Sequence, residues 1–156
     1  MIYKIYTYLT GFLRLPYVKW MMPKRVRLGK EDSSRFREKF GLASIPRPAG
    51  KILWIHGASM GESLSVIPLI REIKKLYPHW NILMTSGTVT SARLIERRLS
   101  DDVIHQFMPL DFLPYVKRFM NYWTPDLVLW VESELWPHAL HEIKRRQIKA
   151  ISINTR

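Results

Sequence analysis

The chain has 156 residues, no cysteine and a formal net charge of +12, from 25 Lys/Arg against 13 Asp/Glu. That length buries one ordinary core, and the lack of cysteine excludes disulfides, thiol catalysis and cysteine-based zinc sites. Residues 1–50 carry +8 of the charge (11 Lys/Arg against 3 Asp/Glu), so the excess marks an N-terminal arm suited to an anionic membrane surface rather than a basic domain suited to nucleic acid.

Residues 1–22 are apolar and aromatic, but Lys4, Arg14 and Lys19 interrupt them and Pro16 divides them. A membrane-spanning helix needs roughly 20 mostly uncharged residues, and no small-residue cleavage site follows. The segment therefore reads as an interfacial anchor, its aromatic rings at headgroup level and its Lys and Arg stems snorkelling. The alternative is a first helix packed on its own domain. Residues 23–50 form a basic helical arm and linker. Asp32, Ser33 or Ser34 offers the cap of a short helix running to Phe40, and Gly41 its end. The cations here suit lipid headgroups or an anionic substrate, although a solvated face explains any single one. Residues 44–50 are a turn-rich connector.

From Lys51 the pattern is regular. Strand-length apolar runs lie at Ile52–Ile55, Ile82–Thr85, Val103–Phe107, Leu127–Val131 and Ala150–Ile153. Amphipathic helical segments separate them at Leu64–Tyr77, Ser91–Leu99, Leu113–Tyr122 and Ala139–Arg146. Such alternation predicts βαβ units and an α/β fold with a doubly wound parallel sheet, Rossmann-like, over residues 51–156. The usual strand order, 3-2-1-4-5, makes the first and fourth strands neighbours, so the loops that follow them flank the switch point where ligands bind.

Those two loops carry the acids. The first reads His56-Gly57-Ala58-Ser59-Met60-Gly61-Glu62, a strand, a glycine turn and a helix start; Gly57 and Gly61 permit tight turning and close backbone approach. Ser59 to Glu62 also fits a capping box, with Ser59 as N-cap and Glu62 bonding back to it. The spacing is neither a dinucleotide fingerprint nor a P-loop. The dipole of this helix start admits a phosphate, but the motif alone is weak evidence for one. The second loop reads Glu132-Ser133-Glu134-Leu135-Trp136-Pro137; Pro137 suits a first helical turn, but two acids and a Trp exceed what a cap needs. Two carboxylates forced into one cleft raise the pKa of one, which makes a usable general base. Thr85 and Ser86 open a hydroxyl-rich loop, Thr85–Ser91, able to bond sugar or phosphate or simply to cap a helix. Asp111 reads as the cap of the helix it precedes. His138 and His141, three apart, read as a solvated helix face rather than a metal site.

Taken together, H-G-A-S-M-G-E (His56–Glu62), T-S-G-T-V-T-S (Thr85–Ser91), Met108-Pro109-Leu110-Asp111 and E-S-E-L-W-P (Glu132–Pro137) resemble, in order and spacing, the 3-deoxy-D-manno-octulosonic acid (Kdo) transferases. The resemblance covers nearly the whole chain. It implies the N-terminal, acceptor-binding half of a two-Rossmann (GT-B) glycosyltransferase, at the cytoplasmic side of the bacterial inner membrane. The implied donor is CMP-Kdo and the implied acceptor a lipid A precursor, a phosphorylated, acylated glucosamine disaccharide, with no cofactor, metal or nucleic acid. By motif position Glu62 resembles the proton acceptor of an inverting transfer and Glu132 the transition-state stabiliser. Ser59, Gly61, Thr85, Ser86 and Glu134 are the substrate-binding candidates. The chain departs from the family in having His138 where many members have Asn, Thr88-Val89-Thr90-Ser91 where many have T-P-T-G, and Thr155 for Ala near its end. The family continues into a donor-binding domain beyond Arg156, so expected partners are the precursor, an anionic membrane and a separately encoded C-terminal CMP-Kdo-binding domain. A non-catalytic remnant that binds membrane and lipid A is the alternative.

Overall fold

The computed structural model describes residues 2–99, 103–131 and 135–153. Five parallel strands, β1 (Ile52–His56), β2 (Asn81–Ser86), β3 (Ile104–Phe107), β4 (Leu127–Val131) and β5 (Lys149–Ile153), form one sheet in the order β3-β2-β1-β4-β5. This is the predicted doubly wound order, with β1 between β2 and β4 and His56 in register with both Thr85 and Trp130.

The helices divide between the two faces as the strand pleat requires. Ile52, Trp54, Val128 and Trp130 point to one side, where they pack on α6 (Leu113–Trp123) and α7 (Pro137–Arg145) through Phe119, Met120, Trp123 and Ile143. Leu53, Ile55, Leu129 and Val131 point to the other, against Ile67 and Ile70 of α4 (Ile67–Leu76) and Ile95 and Leu99 of α5 (Val89–Leu99). Trp54 and Trp123 are wholly buried; rings of that size supply the largest share of burial energy in a core of this length. The helix after the glycine turn differs from its predicted span. It breaks at Val66 into α3 (Met60–Ser65) and α4, because Pro68 takes the first turn of a new helix and cannot donate within a continuous one.

The N-terminal arm also differs from its reading. Pro16 does not divide it: α1 (Ile2–Pro16) runs on through a π-helical turn, Tyr17–Met21, into α2 (Met22–Arg27). The missing proline N–H is absorbed by widening the hydrogen-bond register just after it. α1 lies on the domain by one edge: Tyr3 Oη meets His138 Nδ1 at 3.0 Å, Thr10 Oγ1 meets His138 Nε2 at 3.0 Å, and Tyr6 Oη donates to Asp111 at 2.8 Å. Away from that edge it is bare, with Ile2 82%, Tyr8 80% and Phe12 79% exposed, and in the π-helical turn Trp20 is 71% exposed. No described helix is long and apolar enough to cross a membrane. Phe36–Phe40 forms a short 3-10 helix, and Asp32 caps the turn before it through Ser34 N–H. Gly41 ends it at φ 75°, where any Cβ would sit 2.1 Å from the Tyr115 carbonyl.

Candidate active site

The carboxyl ends of β1 and β2 are joined past their last residues. Gly57 N–H donates to the Thr85 carbonyl at 3.0 Å, and Gly87 N–H donates to the Ala58 carbonyl at 3.0 Å. A Cβ on Gly87 would stand 3.0 Å from that same Ala58 oxygen, so glycine lets the two loops meet backbone to backbone.

Ser59 is the N-cap of α3, its Oγ accepting the Glu62 N–H at 3.2 Å. The expected return bond is different. The Glu62 carboxylate passes over Ser59 and accepts the Ala58 N–H at 2.7 Å. A charge-assisted bond of this kind contributes about 1.5–3 kcal/mol and holds the carboxylate across the glycine turn. Glu62 is only 8% exposed, and its second oxygen takes no hydrogen bond among the described residues. Ser59 and Gly61 are exposed around it, at the positive end of the helix.

Thr85 and Ser86 are wholly buried beneath this turn. Trp54 Nε1 donates to Thr85 Oγ1 at 2.8 Å, and the same oxygen lies 2.9 Å from His56 Nδ1. Burial pushes His56 down to about 3, with the Lys39 charge adding to it, so the ring is neutral near pH 7. Its Nε2 has no hydrogen-bond partner among the described residues, and the ring packs on Trp130 at 4.5 Å and Trp136 at 5.9 Å. Ser86 Oγ pairs with His105 Nε2 at 2.9 Å, while Arg35 Nη2 lies 3.0 Å from His105 Nδ1. A guanidinium only donates, so His105 holds its proton on Nε2 and donates it to Ser86. Burial and the neighbouring Arg35 push His105 down to about 3.

Glu132 and Glu134 lie outside the described residues. The strand leading to them ends at Val131, beside β1, with Trp130 opposite His56. Among the described residues no three His, Asp or Glu side chains converge as a metal site requires.

Several residues have roles that local pattern did not reveal. Asp111 caps not the helix it precedes but α7, accepting the His138 N–H at 3.0 Å and the Ala139 N–H at 3.1 Å. His138 is wholly buried and seats α1, whereas His141 is exposed, as expected of a solvated face, and stacks on Tyr3 at 3.9 Å. Within the basic run, Lys39 is buried and donates to the Gly87 carbonyl at 2.9 Å. Glu38 is buried beside it, bonded to the Phe107 N–H of edge strand β3 at 2.7 Å and paired with Arg35 at 2.9 Å. Nothing in a run of like charges marks which one turns inward.

Residues 34–156 match the family described as 3-Deoxy-D-manno-octulosonic-acid transferase (kdotransferase). The chain is 36% identical over 149 residues to 3-deoxy-D-manno-octulosonic acid transferase of Rickettsia bellii, covering 96% of this chain and 35% of that protein. It is 40% identical over 108 residues to the Rickettsia felis transferase of the same name (69% of this chain, 23% of that one). With the Haemophilus influenzae transferase it shares 35% over 131 residues (80% and 30%). It thus spans about a quarter to a third of the length of these relatives. On the extent of these matches, and with the glycine turn and its carboxylate in place, the chain belongs to the 3-deoxy-D-manno-octulosonic acid transferase family.

Proposed function

We propose that this chain is the acceptor side of an inverting glycosyltransferase that moves Kdo from CMP-Kdo to a lipid A precursor in lipopolysaccharide biosynthesis, at the cytoplasmic face of the inner membrane. The observation that carries the reading is the Glu62 carboxylate, fixed by the Ala58 N–H at the mouth of the β1 loop. Glu62 takes the proton of an acceptor hydroxyl while that oxygen bonds to the anomeric carbon of Kdo. The bond from that carbon to the phosphate oxygen breaks and CMP leaves. Glu132 stabilises charge in the transition state. Ser59 and Gly61, exposed at the helix start, and Glu134 contact substrate. Thr85 and Ser86 support the turn from below.

The donor is held by the two thirds to three quarters of the relatives' length that this chain does not span, as a C-terminal CMP-Kdo-binding domain. The arm rests on the anionic membrane through its bare apolar face, with its cations at the headgroups. The test is Kdo transfer from CMP-Kdo to a lipid A precursor, with this chain alone and with a complementing C-terminal domain. Transfer with the partner is expected; a folded mixture that binds precursor but transfers nothing would overturn the enzymatic reading.

A further inference from the structure

We propose that Lys39 is a positioning residue for the Glu62 turn and ties that turn to the basic arm. Lys39 sits on the 3-10 helix at 5% exposure. Its ammonium donates to the Gly87 carbonyl at 2.9 Å, lies 3.7 Å from Glu31 and faces the Phe107 ring at 5.0 Å. Glu31, also buried, accepts Arg25 Nε of α2 at 2.8 Å. A lysine is rarely so enclosed; burial lowers its pKa, while Glu31 acts against that. Between the Lys39 ammonium and the Glu62 carboxylate, the line to the site runs through main-chain groups of Gly87 and Ala58. Gly87 gives its carbonyl to Lys39 and its N–H to Ala58, and Ala58 gives its own N–H to the Glu62 carboxylate.

The Gly87 loop lies past the end of β2, where no neighbouring strand fixes its carbonyl. An ammonium pinned between Glu31 and Phe107 supplies that fixed point. The main chain of Lys39 is itself held, its carbonyl accepting the Leu110 N–H at 2.9 Å. The path Arg25, Glu31, Lys39, Gly87, Ala58, Glu62 therefore runs unbroken from the arm to the carboxylate. Its catalytic meaning rests on the reading of Glu62 as the base; the positioning itself does not.

The test is amide hydrogen exchange on the full chain, read residue by residue, in Lys39→Met and Lys39→Arg. Lys39→Met should speed exchange at Gly87 and Ala58 about tenfold while Ile55 and Val128 in the central strands keep their protection. Lys39→Arg, which still donates, should restore most of it. Unchanged Gly87 and Ala58 exchange in Lys39→Met, or equal loss throughout the sheet, would overturn the proposal. Should Lys39→Met not fold, Glu31→Gln, which frees the ammonium without removing it, must show the same local pattern; unaltered exchange there overturns the proposal too. Full transfer by Glu62→Gln in the complemented reaction would instead overturn the role of Glu62 and leave the exchange result standing.

Discussion

Asp111 accepts the His138 N–H at 3.0 Å, so the loop leaving β3 caps the helix that follows β4. The same carboxylate takes the Tyr6 hydroxyl of α1 at 2.8 Å, and burial together with that carboxylate holds the Tyr6 hydroxyl well above its ordinary pKa. One side chain thus joins the loop after edge strand β3, a core helix and the arm. Asp111→Ala should cost about 2 kcal/mol, a lost cap plus a lost charge-assisted bond, read as a fall in urea midpoint at unchanged slope. Asp111→Asn should cost less. A change under about 0.5 kcal/mol in the alanine variant would mean the cap is not used.

Two glycines give opposite expectations. Gly41 has φ 75° and faces the Tyr115 carbonyl at 2.1 Å from its virtual Cβ, so Gly41→Ala should destabilise by about 2 kcal/mol or more. Gly61 lies within α3 with only Ser59 Oγ near, at 4.0 Å, so Gly61→Ala should stabilise the fold by about 0.5–1 kcal/mol. If Gly61 faces substrate, the same variant transfers Kdo more slowly despite its higher melting temperature. Thermal unfolding and the complemented assay, run on one preparation, separate the two effects.

His56 and His105 make stability depend on pH. Both are pushed down to about 3 when folded, against about 6.5 in the unfolded chain. Between those values the unfolded state binds protons that the folded state does not. Stability is therefore lost as pH falls from about 6.5 towards 3, by about 1.4 kcal/mol per pH unit for each ring. Urea midpoints at pH 7, 6 and 5 should fall steadily, and the two imidazole Cε1 proton signals should not titrate above pH 4. Titration of either ring near pH 6.5 would contradict its burial.

The arm is tested through Trp20, which is 71% exposed. Its fluorescence should shift to the blue with anionic phospholipid vesicles and much less with zwitterionic ones, and added salt should weaken the response. Equal response to both vesicle types would remove the electrostatic part of the account.

The sheet was legible because its strands are buried on both faces and appear as unbroken apolar runs such as Ile52–Ile55 and Leu127–Val131. Strand order followed from the alternation with helices and the handedness of crossovers. Glu62 was legible from the glycine turn and its serine cap. What escaped was contact between segments far apart in the chain. Asp111 precedes one helix but caps another, His138 turns inward to meet two hydroxyls of α1, and Lys39 is buried in a run in which Lys24, Arg27, Lys30 and Arg37 are exposed. Even the partner of Glu62, Ala58 rather than Ser59, depends on where the β2 loop holds the turn.

The measurement that tests the account most directly is the turnover of Glu62→Gln in the complemented transfer of Kdo to lipid A precursor. Glutamine can still accept the Ala58 N–H but cannot take a proton at neutral pH. The account predicts an intact fold, precursor binding close to that of the parent chain and a kcat lower by about 10²–10⁴-fold. A Glu62→Gln variant that folds and turns over at the parental rate would contradict it.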